Sequence, residues 1–493
     1  MGKMGNIGSW LVTPLALALA MSACGGGTQT PKQDTGVQDA PAQTDLPVEQ
    51  VQVTPDGGVD DAAPAVDAPA PEDAADAGTA TDGPTIECAP PPTGGTVPAG
   101  TAPMQAAGPT VATSPTRPEL SAEVADGKYT IKKALAQGYL INNGTPPDGG
   151  AGPVTYSVND NWDPQTNGIG DPATFTPTFT VAADGSGTHT TIYPAFVEAL
   201  NLGVCGRVYI RLMPGEYRGQ LLLNSKTSAP NITVYSTESD ASKTVIVANQ
   251  ASATAGGMSL SATLTIKAIR GFQMKNITVA NDYVEDSTPG NQNAVAMLLQ
   301  SDLAQFENVR FLGNINTLYV KSSSETIAAR SYFRDCYVEG DEDFILGRGT
   351  AVFDHTEIKY LAGRKPTGGS IAFPSTLVFN GYGLLFDSCN FTAEAGASGV
   401  FLGRQWEEQS DTIAIRGLPV GKMIVRNSTL GAHLAGAAPW SATGARVTTF
   451  KDPVGTTPVV VYTSDDYFPS GVGPTPAEPY LAEYRNSGPG AHQ

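Results

Sequence analysis

From residue 178 onward the chain alternates apolar and polar positions over short runs, the period-two signature of β-strands, and good helical spacing is scarce. One short pattern, apolar-x-polar-x-x-apolar, recurs six times. The copies are Met274-Lys-Asn-Ile-Thr-Val279, Phe306-Glu-Asn-Val-Arg-Phe311, Phe333-Arg-Asp-Cys-Tyr-Val338, Phe353-Asp-His-Thr-Glu-Ile358, Phe386-Asp-Ser-Cys-Asn-Phe391 and Val425-Arg-Asn-Ser-Thr-Leu430. Their starts are 32, 27, 20, 33 and 39 residues apart. A fixed short strand with loops of variable length predicts a parallel β-helix, in which equivalent residues stack from coil to coil. A β-sandwich with similar alternation is the competing architecture. In the β-helix the third positions, Asn276, Asn308, Asp335, His355, Ser388 and Asn427, form a polar ladder at one corner.

The same register bears on the cysteines. Cys336 and Cys389 share the fourth position, but the copy at Phe353 separates them. Two rungs put them about 10 Å apart, beyond the ~7 Å Cα separation that a disulfide spans, so both are expected as buried free thiols. Cys88 and Cys205 have no evident partner, and no Cys-x-x-Cys occurs, so no metal site is expected. The register also relates Asn316, ten residues after Phe306, to Asp343, ten residues after Phe333. Equal offsets predict neighbouring rungs about 5 Å apart, beside Tyr319 and Phe344. This pair is either a site or a solvated polar stack.

The start of the chain reads as export machinery. Lys3 precedes an apolar stretch from Trp10 to Met21, too short to span a membrane stably. It ends in Met21-Ser22-Ala23-Cys24, which resembles the lipobox of bacterial lipoproteins. That resemblance implies a signal peptide over 1–23, lipid on Cys24 and an N-terminal membrane anchor at the cell surface or outer membrane, Gly25 weakly favouring the latter. An ordinary signal peptide with an incidental cysteine is the alternative. Residues 24–116 are rich in Pro, Ala and Asp; 25–116 hold 13 Asp/Glu against one Lys, with scarcely an aromatic residue. Too little apolar surface is available there to offset ordering entropy, which predicts a disordered tether spanning about 50–60 Å. Residues 117–177 read as an N-terminal extension packed on the main domain, with helical spacing from Ser121 to Ala136. Residues 178–480 are the β-helix and 481–493 a C-terminal tail.

Composition narrows the chemistry. Only 16 % of residues are charged and there are four histidines, which disfavours a zinc enzyme or a histidine-based hydrolase. A net charge of −19 excludes a nucleic-acid partner, since phosphates require a basic surface. No Gly-x-Ser-x-Gly elbow is present.

Seven further segments occur in one order: Ala182-Ala-Asp-Gly-Ser-Gly187, Arg211-Leu-Met-Pro-Gly-Glu-Tyr-Arg218, Gly271-Phe-Gln-Met-Lys-Asn-Ile-Thr278, Asn293-Ala-Val-Ala-Met297, Phe311-Leu-Gly-Asn-Ile-Asn-Thr-Leu-Tyr319, Gly340-Asp-Glu-Asp-Phe-Ile-Leu-Gly347 and Leu402-Gly-Arg-Gln-Trp406. Over roughly 178–430 this series resembles the pectinesterases, carbohydrate esterases with a right-handed parallel β-helix, and is closest to their bacterial lipoprotein branch. The resemblance implies an all-β chain, no cofactor, and pectin or a related polyuronide as substrate. It implies Asp343 as nucleophile, attacking a methyl-ester carbonyl to form an acyl-enzyme. Arg404 would hold Asp343 ionised and oriented, and Trp406 would stack on sugar. Tyr319, Phe344 and Gln292 complete the expected substrate contacts. A monomer is expected.

The chain departs from the family pattern at the proton-handling positions. Where relatives read Gln-Asp, this chain has Ile315-Asn316, and the first family glutamine aligns with Asn293, next to Gln292. Ile315 has no donor to stabilise an oxyanion. Asn316 donates a hydrogen bond but cannot deliver a proton to departing methanol. Losing a general acid costs about 10²–10⁴ in rate, and losing an oxyanion donor costs a similar factor. Three readings stay open: an esterase with a substitute acid, for which Asp341 shares the strand parity of Asp343 while Glu342 points away; an esterase for a better leaving group; or a pectin-binding protein with impaired catalysis. Pectate lyases and polygalacturonases share the architecture, but their acidic motifs are not recognisable here.

Overall fold

The computed structural model describes residues 113–114, 117–140, 154–157 and 162–492, apart from 141–153, 203, 205, 225–229, 286–291, 323–328, 377–381, 405, 407, 409–420, 442–447, 452–457 and 463–480. The expected signal peptide, Cys24, nearly all of the expected tether, Cys88 and Cys205 lie outside the described residues.

Three parallel sheets wind into a β-helix, each coil contributing one strand to each sheet. Sheet A holds ten strands, from Phe179–Val181 through Arg330–Arg334 and Thr350–Asp354 to Leu481–Tyr484. Sheet B runs in eight strands from Gly215–Arg218 through Tyr337–Gly340 to Thr429–Leu430. Sheet C runs in eight strands from Leu221–Asn224 through Leu318–Val320, Ile345–Gly347, Ser370–Pro374 and Phe401–Arg404 to Trp440–Ser441. Neighbouring strands pair in parallel and in chain order. Met274, Phe306, Phe333, Phe353, Phe386 and Val425 therefore stand in one register column.

The sequence repeat marks a corner rather than a single strand. Its first two residues end a strand of sheet A, its last two begin one in sheet B, and the polar third residue makes the turn. All six third-position residues have left-handed backbone, with φ between 50° and 60°. Asn and Asp tolerate this region because a short polar side chain can bond the nearby backbone. Asn308 Nδ2 donates to Asn276 Oδ1 at 2.8 Å, and Asn276 Nδ2 donates to the Ser236 carbonyl at 3.1 Å. At this end of the ladder, neighbouring amides thus bond along the axis, whereas Ser388 and Asn427 both bond Asp387.

Both apolar positions of each repeat point inward and are buried. Phe306, Phe333, Phe353 and Phe386 stack nearly parallel, with centroids 4.8, 4.8 and 4.6 Å apart. That spacing is the interstrand repeat itself. Cys336 and Cys389 are buried free thiols, and burial pushes both thiols far above their ordinary range. Helix α3 (Ile192–Asn201) turns Ile192, Ala195, Phe196 and Ala199 onto the first coils of this core.

Outside sheet A, two short helices stand where one helical stretch was expected. These are α1 (Ala122–Gly127) and α2 (Ile131–Leu135), N-capped by Ser121 and Thr130. They bury Ala125, Ile131, Ala134 and Leu135 against Tyr332, Val352, Leu385 and Ile424. Just upstream, Arg117 forms a paired ion contact with the buried Glu483, with Nε and Nη2 each 2.8 Å from a carboxylate oxygen. The expected tail at 481–493 is instead structural. Leu481–Tyr484 is the last strand of sheet A, paired with Met423–Arg426. A gap in the repeat's spacing after Leu430 hid that coil from the sequence pattern.

The aromatic column supplies a test of the core. Phe353→Ala removes a ring stacked on both sides, and should lower unfolding free energy by about 3–5 kcal/mol. A denaturant midpoint close to wild type would show that the column is not what holds adjacent coils together.

Candidate active site

A second line of left-handed corners, between sheets B and C, builds the site. Asn316 and Asp343 have φ of 64° and 45°. Ile315 bridges Glu342 in parallel, and the Asn316 N–H donates to the Glu342 carbonyl at 3.2 Å. The two side chains consequently lie on neighbouring coils. The Asp343 N–H in turn donates to the Ser370 carbonyl on the following coil at 2.6 Å.

Arg404, the last residue of a sheet C strand, reaches across to the Asp343 carboxylate. Its Nε donates to Oδ1 at 2.9 Å, and its Nη2 donates to Oδ2. The guanidinium lies over the Phe373 ring, 4.1 Å from the centroid. Trp406 stacks on the same ring at 5.1 Å and 15°, so Phe373 forms a shelf under both. The Asp343 side chain is only 6 % exposed and Arg404 is 23 % exposed, making the site a nearly closed floor rather than an open polar face. Burial raises the Asp343 carboxyl from its ordinary 3.8 to about 6, against the hydrogen bonds and charge of Arg404, which pull it down.

The amides form a chain. Asn293 Nδ2 donates to Asn316 Oδ1, and Asn316 Nδ2 donates to the Asp343 carbonyl at 3.2 Å. Asn316 is thereby oriented with its NH₂ toward Asp343, with one N–H beyond that bond. Gln292 is half-buried next to Asn293.

Several expected contacts are placed differently. Phe344 is fully buried in the main core and cannot touch a glycan: after the left-handed corner at Asp343, both Phe344 and Ile345 face inward. Tyr319 is 2 % exposed; it faces outward from sheet C but lies against Trp406, and its hydroxyl donates to Glu408 Oε1 at 2.5 Å. It supports the indole rather than meeting a ligand. Asp341 is not solvated: it is buried and receives Arg364 Nε and Nη2, both at 2.8 Å. Glu342 pairs with Lys365.

Phe373, Glu408 and Glu285 escaped sequence reasoning. Glu285 is buried behind the corner, accepting from the Ile315 N–H at 3.2 Å and from Asn314 Nδ2 at 2.5 Å. Burial, with a further push from the charge of Asp341, raises its carboxyl above the ordinary range. None of the three belongs to a motif, and irregular loop lengths hide their register. Among the described residues no three His, Cys, Asp or Glu side chains converge in a way that could hold a metal ion.

Comparisons with known proteins agree with this architecture. The family model described as Pectinesterase matches residues 178–448. A pectinesterase of Ralstonia solanacearum is 37 % identical over 351 residues, covering 66 % of this chain and 84 % of that protein. Pectinesterase B of Dickeya dadantii is 28 % identical over 384 residues, covering 68 % and 84 %. The solved structure of rice weevil pectin methyl esterase aligns with a TM-score of 0.57 at 23 % identity, over 78 % of this chain and all of that one, a likeness of fold.

The opposed influences on Asp343 can be separated by titration. Carbon-detected NMR of its carboxyl should give a midpoint of about 6. Arg404→Ala removes the lowering influences, so the midpoint should move upward. Because the folded carboxyl holds its proton more tightly than an unfolded one, ionising Asp343 should weaken the fold as pH rises through that midpoint. A wild-type midpoint near 4, unmoved in the variant, would mean that neither burial nor Arg404 governs this group.

Proposed function

The chain belongs to the pectinesterase family, and on that premise we propose that it is a carbohydrate esterase that hydrolyses methyl esters of polygalacturonate through Asp343. The observation that carries this reading is the buried carboxylate of Asp343 held by both arms of Arg404, whose guanidinium shares the Phe373 ring with the Trp406 indole. A carboxyl with a midpoint of about 6 is about nine-tenths ionised at pH 7, so the attacking form prevails at neutral pH.

In the first half-reaction an Asp343 oxygen attacks the ester carbonyl carbon. The carbonyl π pair moves to oxygen, then returns as the C–O bond to methoxide breaks, leaving a mixed anhydride between Asp343 and the galacturonyl group. Methoxide takes a proton and departs as methanol. In the second half-reaction water adds to the same carbonyl carbon, loses a proton, and expels the Asp343 carboxylate. The sum is ester plus water to acid plus methanol. Arg404 keeps the carboxylate aimed, and Trp406 offers a flat apolar face to a sugar ring.

Proton supply sets this chain's character. With Ile315 and Asn316 in place of a donor and an acid, the methoxide proton comes from water, and Asn316 contributes a hydrogen bond. Slow turnover of methyl esters is therefore expected, by about 10²–10⁴ relative to a site with a general acid. The Asn293–Asn316 amide chain also favours a second reading, an ester whose leaving group departs without being protonated. Export and a lipid anchor at Cys24 belong to the same proposal, supported by the apolar stretch and the Met21-Ser22-Ala23-Cys24 sequence.

Wild-type protein should release methanol from methyl-esterified pectin, and Asp343→Ala should abolish release while leaving polygalacturonate binding intact. The paired change Ile315→Gln with Asn316→Asp should raise kcat by at least about tenfold. Absence of both methanol release and activated-ester cleavage in wild type would replace the esterase reading with a binding role. Mass spectrometry of protein made in a bacterial host should find acyl chains on an N-terminal Cys24. An unmodified mature terminus, or one elsewhere, would dismiss the anchor.

A further inference from the structure

At the other end of the sheet C strands from Asp343, a buried cluster of charge is left unused by the proposed chemistry. Lys321, Arg348 and Ser375 each directly follow a strand of sheet C, Leu318–Val320, Ile345–Gly347 and Ser370–Pro374, on three consecutive coils. Coils are about 4.8 Å apart, so an ammonium and a guanidinium are stacked in one narrow space. Their side chains are 5 % and 4 % exposed. Like charges at that separation, shielded from water, repel strongly.

Glu408 supplies the counter-charge. Its Oε1 lies 3.1 Å from Lys321 Nζ and accepts from Arg348 Nη2 at 3.2 Å, while Oε2 lies 3.2 Å from Arg348 Nε. Its backbone N–H donates to Ser375 Oγ at 3.0 Å. One residue thus engages all three coils, and its carboxylate also takes the Tyr319 hydroxyl.

Glu408 stands two residues after Trp406 and four after Arg404. The Trp406 N–H donates to the Pro374 carbonyl at 3.0 Å, next to the point where Glu408 meets Ser375. The indole stacks on Phe373 and packs at a tilt against the Tyr319 ring, whose hydroxyl bonds Glu408. We infer that Glu408 is a positioning residue: its ion contacts with Lys321 and Arg348 fix its own carboxylate and, through it, the Tyr319 ring, so that the Trp406 indole is presented in one orientation to a uronide chain. This rests on the proposed function for the part Trp406 plays with substrate, but the orientation itself does not.

The test uses full-length protein labelled with 5-fluorotryptophan, the Trp406 resonance being assigned by its loss in Trp406→Phe. Glu408→Gln keeps shape and removes charge. It should shift or broaden the Trp406 resonance and raise KM for methyl-esterified pectin about tenfold, with kcat within about twofold of wild type. The variant Glu408→Gln with Lys321→Met keeps the net charge of the cluster but has no ion contact at 408, so it should show the same displacement and raised KM, and it is the variant to read if the single change prevents folding. An unmoved Trp406 resonance in Glu408→Gln, or in the folded double variant, overturns the inference. Binding of de-esterified polygalacturonate, followed on the same resonance, separates the two claims. A resonance displaced by Glu408→Gln but indifferent to polygalacturonate upholds the positioning role and removes Trp406 from the substrate site.

Discussion

Parallel strands held in unbroken register are the constraint on which the rest of this molecule depends. Each coil places its residues directly over their counterparts one interstrand spacing away, so a side chain's neighbours lie mainly above and below it rather than along the chain. The phenylalanine column from Phe306 to Phe386 and the corner ladder from Asn276 to Asn427 are two products of the same geometry. A third is the pair Asn316 and Asp343. The corner that projects them requires left-handed backbone, which favours short polar side chains or glycine. Aspartate and asparagine satisfy that requirement equally, so chemistry at the corner can change without disturbing the coil.

That equivalence separates scaffold from reactivity. Asn316 retains the left-handed turn and the hydrogen bond to the Asp343 carbonyl, while the amide lacks a proton to give. Asp343 meets opposing demands. Burial favours its neutral form and Arg404 favours the charged one, and the balance lies near 6, where small changes in either influence alter the ionised fraction. Arg404 is placed by a strand end and by the Phe373 face. Glu408, four residues on, engages three coils. Asp343, the guanidinium and the aromatic shelf are therefore coupled through sheet C rather than through one loop.

Sequence alone determined the coil register, because the six copies carry it in residue type: an inward apolar group, a polar group that accepts left-handed backbone, and an outward alternation that a strand imposes. From that register followed the buried thiols at Cys336 and Cys389 and the adjacency of Asn316 to Asp343. What it could not determine was how side chains from different coils share space. Phe344 went to the core, Tyr319 beneath an indole, and Asp341 to Arg364, since each outcome depends on a partner brought in by a loop of unpredictable length. The coil at Leu481–Tyr484 escaped for the same reason. Phe373, Glu285 and Glu408 were legible only in three dimensions. Local backbone preference is written residue by residue, whereas burial, ion pairing and the pKa of Asp343 are properties of the space between coils, which exists only once the chain has wound.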